Sequence, residues 1–157
     1  GLIELSPALV CRMHRRQGYE TALQENGLPL QPELIAVGGL TEKDGYLAMS
    51  GLLDLARPPT AVIAGNDLMA VGAMNAIRDR GLAVPDDVAI IGFDDIPLAS
   101  YVRPTLSTLR QDFYGIGERL VRMLMALLRG EEITEPQKIL EPTLIIRESS
   151  GGALTKG

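Results

Sequence analysis

Polar residues and glycines follow three short apolar runs of the sequence, close to the points where buried strands would end. They are Asn66, Asp94 and the pair Gly38-Gly39. In open α/β sheets, ligands bind beyond the carboxyl ends of the strands, and glycine lets the backbone approach a bound molecule. A carboxylate accepts hydrogen bonds from two adjacent hydroxyls, and a side-chain amide both donates and accepts. This chemistry is typical of polyol recognition and requires no bond breaking.

Arg15 is a further candidate because of its place on the first predicted helix. At 3.6 residues per turn, four residues share one direction, and three of them are small. The four are Cys11, Arg15, Gly18 and Ala22. We expect this stripe to lie closest to the sheet, where an arginine cannot stay unpaired. Its guanidinium must therefore reach either the ligand crevice or an internal carboxylate, Asp94 or Asp67.

Each of these polar residues also has an ordinary structural interpretation. Asn66 and Asp67 are residue types that any helix N-terminus favours. Asp94 and Asp95 are equally typical of a turn. His14 lies among arginines and is interpreted as an exposed helix residue rather than a ligand. Residue type and position alone leave both interpretations open.

Catalytic and metal chemistry have little support in the residue types. Cys11 is the single cysteine, so an internal disulfide and a cysteine-based metal cluster are excluded. A single histidine excludes paired-histidine zinc motifs. Gly115 and Gly117 lack the strand and turn of a dinucleotide fingerprint, and the sequence contains no GxxxxGK loop and no G-x-S-x-G elbow. We therefore predict no enzyme, no cofactor and no metal.

The charge balance and the apolar runs exclude two kinds of partner. The 157 residues include fifteen Lys and Arg and twenty Asp and Glu, which gives a net charge of −5. A sequence pI near 4.9 argues against a nucleic-acid-binding surface on this segment, which would need a basic stripe. No apolar run approaches the 18 residues of a membrane span, so no membrane partner is predicted.

Apolar runs alternate with helical stretches in the first part of the chain. The pattern predicts strands at 2–5, 34–37, 60–64 and 88–93, with helices at about 6–25, 41–57 and 66–81. Runs without alternation indicate strands buried on both faces, as in a parallel sheet covered by helices. We predict an α/β fold with a doubly wound parallel sheet and right-handed crossovers. Further along, the pattern predicts a strand at 107–110, a helix at 113–129 and strands near 138–141 and 143–147.

The third predicted helix is apolar on all sides between Leu68 and Met74. One side can face the sheet, so the other needs a second cover. The outer side of this helix is therefore either buried within the same chain or covered by a second copy of the chain.

Three stretches of this sequence resemble LacI-type (lactose/galactose repressor) transcription regulators. Residues 15–23 match an R-x-x-G-aromatic-x-x-A-L pattern, and residues 58–70 match as far as Asn66-Asp67-Leu68-Met69-Ala70. The third stretch comprises 84–88, 91–95 and 104–111. Solute-binding proteins of the same fold share the N-D-x-M-A and G-F-D pieces. The V-P-x-D-V and P-x-L-(S/T)-T-x-x-Q pieces are similar to the regulators specifically.

The resemblance implies a periplasmic-binding-protein-like type I effector domain with two lobes. Residues 1–110 would form the C-terminal lobe, 111–141 would return to the N-terminal lobe, and 142–150 would be the final strand of the C-terminal lobe. Residues 151–157 would be a flexible tail. The sequence holds no helix-turn-helix headpiece, so DNA would be bound only through a headpiece that this chain lacks. The opening Gly1 suggests a fragment of a longer protein.

The resemblance also implies roles for individual residues. Positions matching Arg15, Asn66 and Asp94 contact the effector, and Phe113 matches a position that can line the cleft. Leu40 replaces an aromatic residue that stacks on flat ligands in some members, which favours a sugar or polyol over a nucleobase. The expected function is effector sensing in a cytoplasmic transcription regulator. An extracytoplasmic sugar-binding protein is the alternative, and an enzyme comes third.

Two surfaces are expected to contact other lobes or chains. The third helix and the loop near Tyr101 help form the homodimer interface of the family, so Val71 and Tyr101 are predicted there. The helix at 113–129 would normally pack on the N-terminal lobe. Its apolar stripe consists of Ile116, Leu120, Met123, Leu124 and Leu127. We expect the isolated chain to aggregate or to need another chain.

Overall fold

The chain forms one six-stranded sheet with helices packed against it. The computed structural model describes residues 1–133, 137 and 139–152. The strands are β1 (Leu2–Glu4), β2 (Ile35–Val37), β3 (Ala61–Ala64), β4 (Ala89–Asp94), β5 (Ser107–Arg110) and β6 (Thr143–Ile145). The helices are α1 (Cys11–Glu25), α2 (Glu42–Leu53), α3 (Asp67–Asp79) and α4 (Phe113–Leu128). Three short 3-10 helices lie at Pro32–Leu34, Pro97–Ser100 and Glu148–Ser150.

The strand order is β2-β1-β3-β4-β5-β6, and β1 to β5 run parallel while β6 is antiparallel to β5. The chain moves from β1 to one neighbour, β2, and then back past β1 to β3. Right-handed crossovers place α1 on one face and α2 and α3 on the other. This is the predicted α/β class, with parallel strands whose carboxyl ends share one edge.

The core lies between the sheet and the pair α2 and α3. Its fully buried side chains include Ile3, Met49, Val62, Met69, Ile77, Ile90 and Leu106. The two helices approach so closely that glycine is required where they meet. A Cβ on Gly72 would lie 1.9 Å from the Glu42 carbonyl oxygen, and one on Gly45 would lie 2.0 Å from that of Met69.

The predicted burial of the strands on both faces is wrong for β3. Val62 and Ala64 are buried against the helices, whereas Ala61 and Ile63 are exposed, and Ile63 keeps 43% of its accessible surface. In a strand, successive side chains point to opposite faces. Among the described residues, α1 covers the second face mainly over β1, and nothing equivalent lies over β3.

Element boundaries follow the local capping chemistry where it is strong. Helix α2 begins after Thr41, whose hydroxyl accepts from the Asp44 amide while the Asp44 carboxylate accepts from the Thr41 amide. This capping box agrees with the predicted start, although α2 ends at Leu53 rather than at 57. Helix α1 begins at Cys11, five residues later than predicted, and has no side-chain cap.

Two predictions concern the end of the chain. The strand predicted near 138–141 is not formed at 139–141, and residue 138 lies outside the described residues. Of the predicted tail 151–157, residues 153–157 also lie outside them. The strand predicted at 143–147 is formed at Thr143–Ile145.

Helix α4 stands apart from the core, and none of its described residues is buried. Of the predicted apolar stripe, Leu120, Leu124 and Leu127 are exposed, whereas Ile116 and Met123 are half-buried. Val121, Met125 and Leu128 are exposed as well, on another side of the helix. Within the described residues, no helix could span a membrane.

Candidate functional site

Arg15 connects the carboxyl ends of two neighbouring strands. Its Nη1 donates to the carbonyl oxygen of Gly65, directly after β3. Its Cζ lies 3.7 Å from the ring centroid of Phe93, near the end of β4. A guanidinium over an aromatic face is attracted by the ring quadrupole, which fixes the orientation of both side chains. Arg15 is half-buried in this position.

The side of α1 that was predicted to face the sheet is shifted by about one residue from the side that does. Cys11, Gly18 and Ala22 are all exposed. The half-buried side of α1 comprises Arg12, Arg15, Arg16, Tyr19, Glu20 and Leu23. Arg15 lies at the margin of this side, where it reaches the strand ends. Its described contacts are a carbonyl and a ring, so the alternative of an internal ion pair with Asp94 or Asp67 is not what the structure shows.

Asp94 is the last residue of β4 and is half-buried. The Nε2 of Gln111, just past β5, donates to its Oδ1 at 3.1 Å. Burial raises the pKa of Asp94 above its ordinary value, and the Gln111 hydrogen bond and the charge of Arg15 partly oppose that effect. Both charged partners of the proposed recognition chemistry therefore lie at the edge where β3, β4 and β5 end.

Asn66 has the structural role that its position favours. It is the N-cap of α3, and its Oδ1 accepts from the Met69 amide at 2.8 Å. Its Nδ2 donates to the Leu40 carbonyl oxygen at 3.0 Å. Asn66 therefore ties the loop after β2 to the end of β3, next to the carbonyl that Arg15 contacts. An amide nitrogen carries two hydrogens, so Nδ2 keeps a second donor for a ligand.

Packing accounts for the two glycines that follow β2. A Cβ on Gly38 would lie 2.7 Å from Sδ of Met69, and one on Gly39 would lie 2.3 Å from the capping Asp44 carboxylate. The Gly38 amide donates to the Glu4 carbonyl oxygen at 2.9 Å. The close approach that requires glycine here is to protein atoms.

Phe113 does not join the other three predicted residues in any described contact. It is exposed and lines a hollow of about 500 Å³ with Tyr114 and Val121 on α4. A separate hollow of about 130 Å³ lies beside the Arg15 site. Its lining comprises Phe93, Gln111, Asp112, Ile116, Leu140, Glu141 and Pro142.

Sequence reasoning did not single out Phe93 or Gln111 as site residues. Phe93 lies inside a continuous apolar run, which is typical of a core residue, and only its place at the strand end distinguishes it. Gln111 lies directly after β5, and the rule that placed Asn66 and Asp94 at strand ends could have found it.

A buried carboxylate was also missed. Glu4 is 2% exposed and lies in β1, facing α1. Arg12 pairs with it at 2.7 Å and Arg16 approaches it at 3.5 Å. A carboxylate buried this deeply requires a charged partner. These two ion pairs help hold α1, and with it Arg15, against the sheet.

The residues predicted for a dimer interface border an open groove on α3. Val71 lines it with Met74, Asn75, Arg78, Val102 and Arg103, and its volume is about 390 Å³. Tyr101 follows the Pro97–Ser100 turn and is 78% exposed. Leu68 is also exposed, so the outer side of α3 is not deeply buried in this chain.

No group of His, Cys, Asp and Glu that could hold a metal ion occurs in the part of the chain that the structure describes. The chemistry of the strand-end site is that of hydrogen bonding and charge. A doubly wound sheet with donors and acceptors at its strand ends is the arrangement typical of ligand-binding α/β domains.

Comparison with known proteins agrees with this class. The family model of the periplasmic binding protein-like domain matches residues 10–150. The transcriptional repressor CytR of Escherichia coli K12 is 40% identical over 137 residues, which are 87% of this chain and 40% of that protein. A LacI-family regulatory protein from Chloroflexus aggregans superimposes with a TM-score of 0.90 at 39% identity, covering 96% of this chain and 54% of the other. A CelR–cellobiose complex superimposes with a TM-score of 0.89 at 33% identity, covering 96% and 46%.

The chain belongs to the family of periplasmic binding protein-like domains, in the group found in LacI-type transcription regulators. It spans about two fifths of the length of the curated relatives it matches. These relatives are transcription regulators rather than enzymes, and they do not favour an extracytoplasmic sugar-binding protein.

Proposed function

We propose that this chain is the effector-sensing part of a LacI-type transcription regulator, with Arg15, Asn66, Asp94 and Phe113 contacting the effector. The observation that carries the proposal is the position of Arg15, which joins the ends of β3 and β4 and stacks on Phe93. Only Nη1 donates in its described bonds, so other guanidinium N–H groups can donate to two ligand oxygens. The nearby Asp94 carboxylate can accept from hydroxyls.

We propose a sugar or polyol as the effector. Leu40 offers an aliphatic rather than an aromatic surface, and Phe93 already carries the Arg15 guanidinium on one face. The site therefore offers charged and hydrogen-bonding groups, which suit a sugar, rather than two flat aromatic surfaces, which would suit a nucleobase. A similar structure, the CelR complex, was determined with cellobiose, which supports the same class.

We propose the domain organisation that the family resemblance implies. Residues 1–110 and 142–150 would form one lobe, and 111–141 would cross to a second lobe that lies outside this chain. The uncovered apolar stripe of α4 supports this proposal because apolar side chains at such density require a partner surface. Ligand between two lobes would favour one inter-lobe geometry through its differential affinity for the two states.

We further propose that the complete protein is a cytoplasmic homodimer that binds DNA. Val71 and Tyr101 would lie in the dimer interface, which the open groove and the exposure of Tyr101 support. DNA would be contacted through a headpiece outside this chain, since a segment with a net charge of −5 is repelled by the phosphate backbone. Effector binding would then change the spacing of two headpieces.

A thermal-shift panel on the complete protein tests the proposal. The panel comprises D-glucose, D-galactose, cellobiose, cytidine and hypoxanthine, each measured with the natural protein and with Asp94→Ala. We expect a sugar to raise the melting temperature of the natural protein and to lose that effect in the variant. Stabilisation that survives the substitution undiminished would remove Asp94 from the site, and stabilisation by hypoxanthine alone would overturn the ligand class.

A further inference from the structure

The corner after β4 has an unusual backbone conformation. Asp94 has φ of +111° and Asp95 has φ of +53°, and neither residue is glycine. Side chains with a Cβ rarely occupy this half of φ space, and two such residues in succession persist only where surrounding contacts hold them. Asp94 provides the carboxylate of the proposed effector site.

The Asp95 side chain is held by two arginines from outside the corner. Nη2 of Arg147 donates to Oδ1 at 2.7 Å, and Nε of Arg110 donates to Oδ2 at 2.6 Å. Nη1 of Arg147 also donates to the Leu106 carbonyl oxygen at 2.7 Å. Burial alone would raise the pKa of Asp95, but the hydrogen bonds of both arginines outweigh it and hold the pKa below its ordinary value.

The two arginines differ in burial. The side chains of Asp95 and Arg147 are 7% and 16% exposed, whereas that of Arg110 is 55% exposed. A pair shielded from water is held more firmly than an exposed pair, which solvent and salt screen. Arg147 is therefore the stronger restraint on the Asp95 carboxylate.

The backbone of the corner is held on its other side by a buried carboxylate. Asp67 accepts from the Ile96 amide at 2.9 Å and from the Thr108 hydroxyl at 2.6 Å. The same hydroxyl oxygen accepts from the Asp95 amide at 3.3 Å. These bonds fix the position of the corner backbone. The ion pair with Arg147 fixes the direction of the Asp95 side chain and therefore the φ angle of Asp95.

We propose that Arg147 is a positioning residue of the effector site. It holds Asp95 in the left-handed region and thereby directs the Asp94 carboxylate towards Arg15. Arg147 has no described contact with Arg15, Asn66 or Phe93, so it acts through Asp95. The inference rests on the proposed function, which assigns Asp94 to the effector site. Under this inference, the segment after β6 supports the site although none of its side chains contacts the effector.

Glycine substitution provides the test, because glycine adopts positive φ without a Cβ clash. The variants are Arg147→Met alone and Arg147→Met combined with either Asp95→Gly or Asp95→Ala, in the complete protein. Both double variants lack the carboxylate and differ only in the conformational freedom of residue 95. Arg80→Met is the control, since it removes an ion pair of equal length with Asp54 on the surface between α2 and α3.

Crystal structures give the first readout and do not depend on a ligand. We expect positive φ at residues 94 and 95 in the natural protein, in Arg80→Met and in the glycine double variant, and a changed corner in Arg147→Met and in the alanine double variant. A corner unchanged in every variant would overturn the proposal.

Calorimetric titration with D-galactose, cellobiose and cytidine gives the second readout. For a compound that binds, we expect Kd to rise about tenfold in Arg147→Met and in the alanine double variant, and to return to within about threefold in the glycine double variant. Equal Kd values in the two double variants would overturn the positioning role. If Arg147→Met does not fold, Asp95→Gly against Asp95→Ala in the otherwise natural chain gives the same comparison. Failure of all three compounds to bind the natural protein would count against the proposed function, and the crystal structures would still decide the role of Arg147.

Discussion

The guanidinium of Arg15 lies over the ring of Phe93, with Cζ 3.7 Å from the ring centroid. The same guanidinium donates to the carbonyl oxygen of Gly65, so one side chain from α1 spans the ends of β3 and β4. This arrangement holds a permanent positive charge beside Asp94 without joining the two in an ion pair. Under the proposed function, a ligand with adjacent hydroxyls would bind both groups.

Removal of the Phe93 ring should weaken ligand binding without unfolding the protein. Phe93→Leu keeps an apolar side chain and loses the cation–π contact, which contributes about 1 kcal/mol, so Kd should rise about fivefold. Calorimetric titration with the sugar that stabilises the protein measures this. Tyr46→Leu, on α2 with its hydroxyl bonded to Asp79 at the end of α3, is the control and should leave Kd unchanged. An unchanged Kd in Phe93→Leu would show that the ring does not orient Arg15.

Ligand affinity should fall as the pH is lowered. Ionised Asp94 accepts hydrogen bonds through both oxygens, and protonation removes part of that capacity. Because burial raises the pKa of Asp94, the loss should begin at a higher pH than for an exposed aspartate. Titrations at several pH values downward from 7 measure it. Asp94→Asn should bind weakly at pH 7 and show no such pH dependence, and an equal slope in both proteins would assign the titration to another group.

Val71→Glu should weaken self-association of the complete protein. Val71 borders the open groove on α3, and a carboxylate there would have to be desolvated in a dimer interface. Sedimentation velocity over a concentration series should show a shift towards monomer. Leu47→Glu places the same charge on an exposed apolar residue of α2 and should leave association unchanged. Association unaffected by Val71→Glu would indicate that this side of α3 is covered within one chain.

Gly72→Ala should destabilise the fold because the new Cβ would meet the backbone of α2. The Glu42 carbonyl oxygen would lie 1.9 Å away, so the two helices must separate, at a cost of about 2–3 kcal/mol. Gly51→Ala is the matched control, since its Cβ meets nothing within 4 Å and alanine favours helix by about 0.5–1 kcal/mol. Denaturant unfolding of the complete protein should give opposite signs for the two. Equal effects would contradict the close α2–α3 contact.

The 157-residue chain alone should self-associate through α4. Leu120, Leu124 and Leu127 are exposed on one stripe of this helix, and an uncovered apolar stripe binds another apolar surface. Sedimentation velocity should show oligomers or aggregates, and Leu124→Lys should reduce them. Leu47→Lys on α2 is the control. A monodisperse chain that unfolds cooperatively as a monomer would contradict this expectation.

Part of the candidate site could be predicted from residue order alone. Parallel strands end at a common edge, which predicts that Asn66 and Asp94 lie near one another, whereas the helix pattern left Arg15 open between the ligand crevice and an internal carboxylate. The partners of Arg15 could not be predicted. The rotation of α1 about its axis depends on Glu4 pairing with Arg12, and a carboxylate inside an apolar run carries no periodic signal.

The alternation of strands and helices is encoded locally in the residue order, because hydrophobic periodicity, caps and glycine stops act over a few residues. The residue types at the strand ends can be read in the same way. The exposed face of β3, the stacking of Arg15 on Phe93 and the pairing of Arg147 with Asp95 arise only when the elements pack together. These relationships join segments tens of residues apart, and they depend on how side chains from separate elements fill the same space.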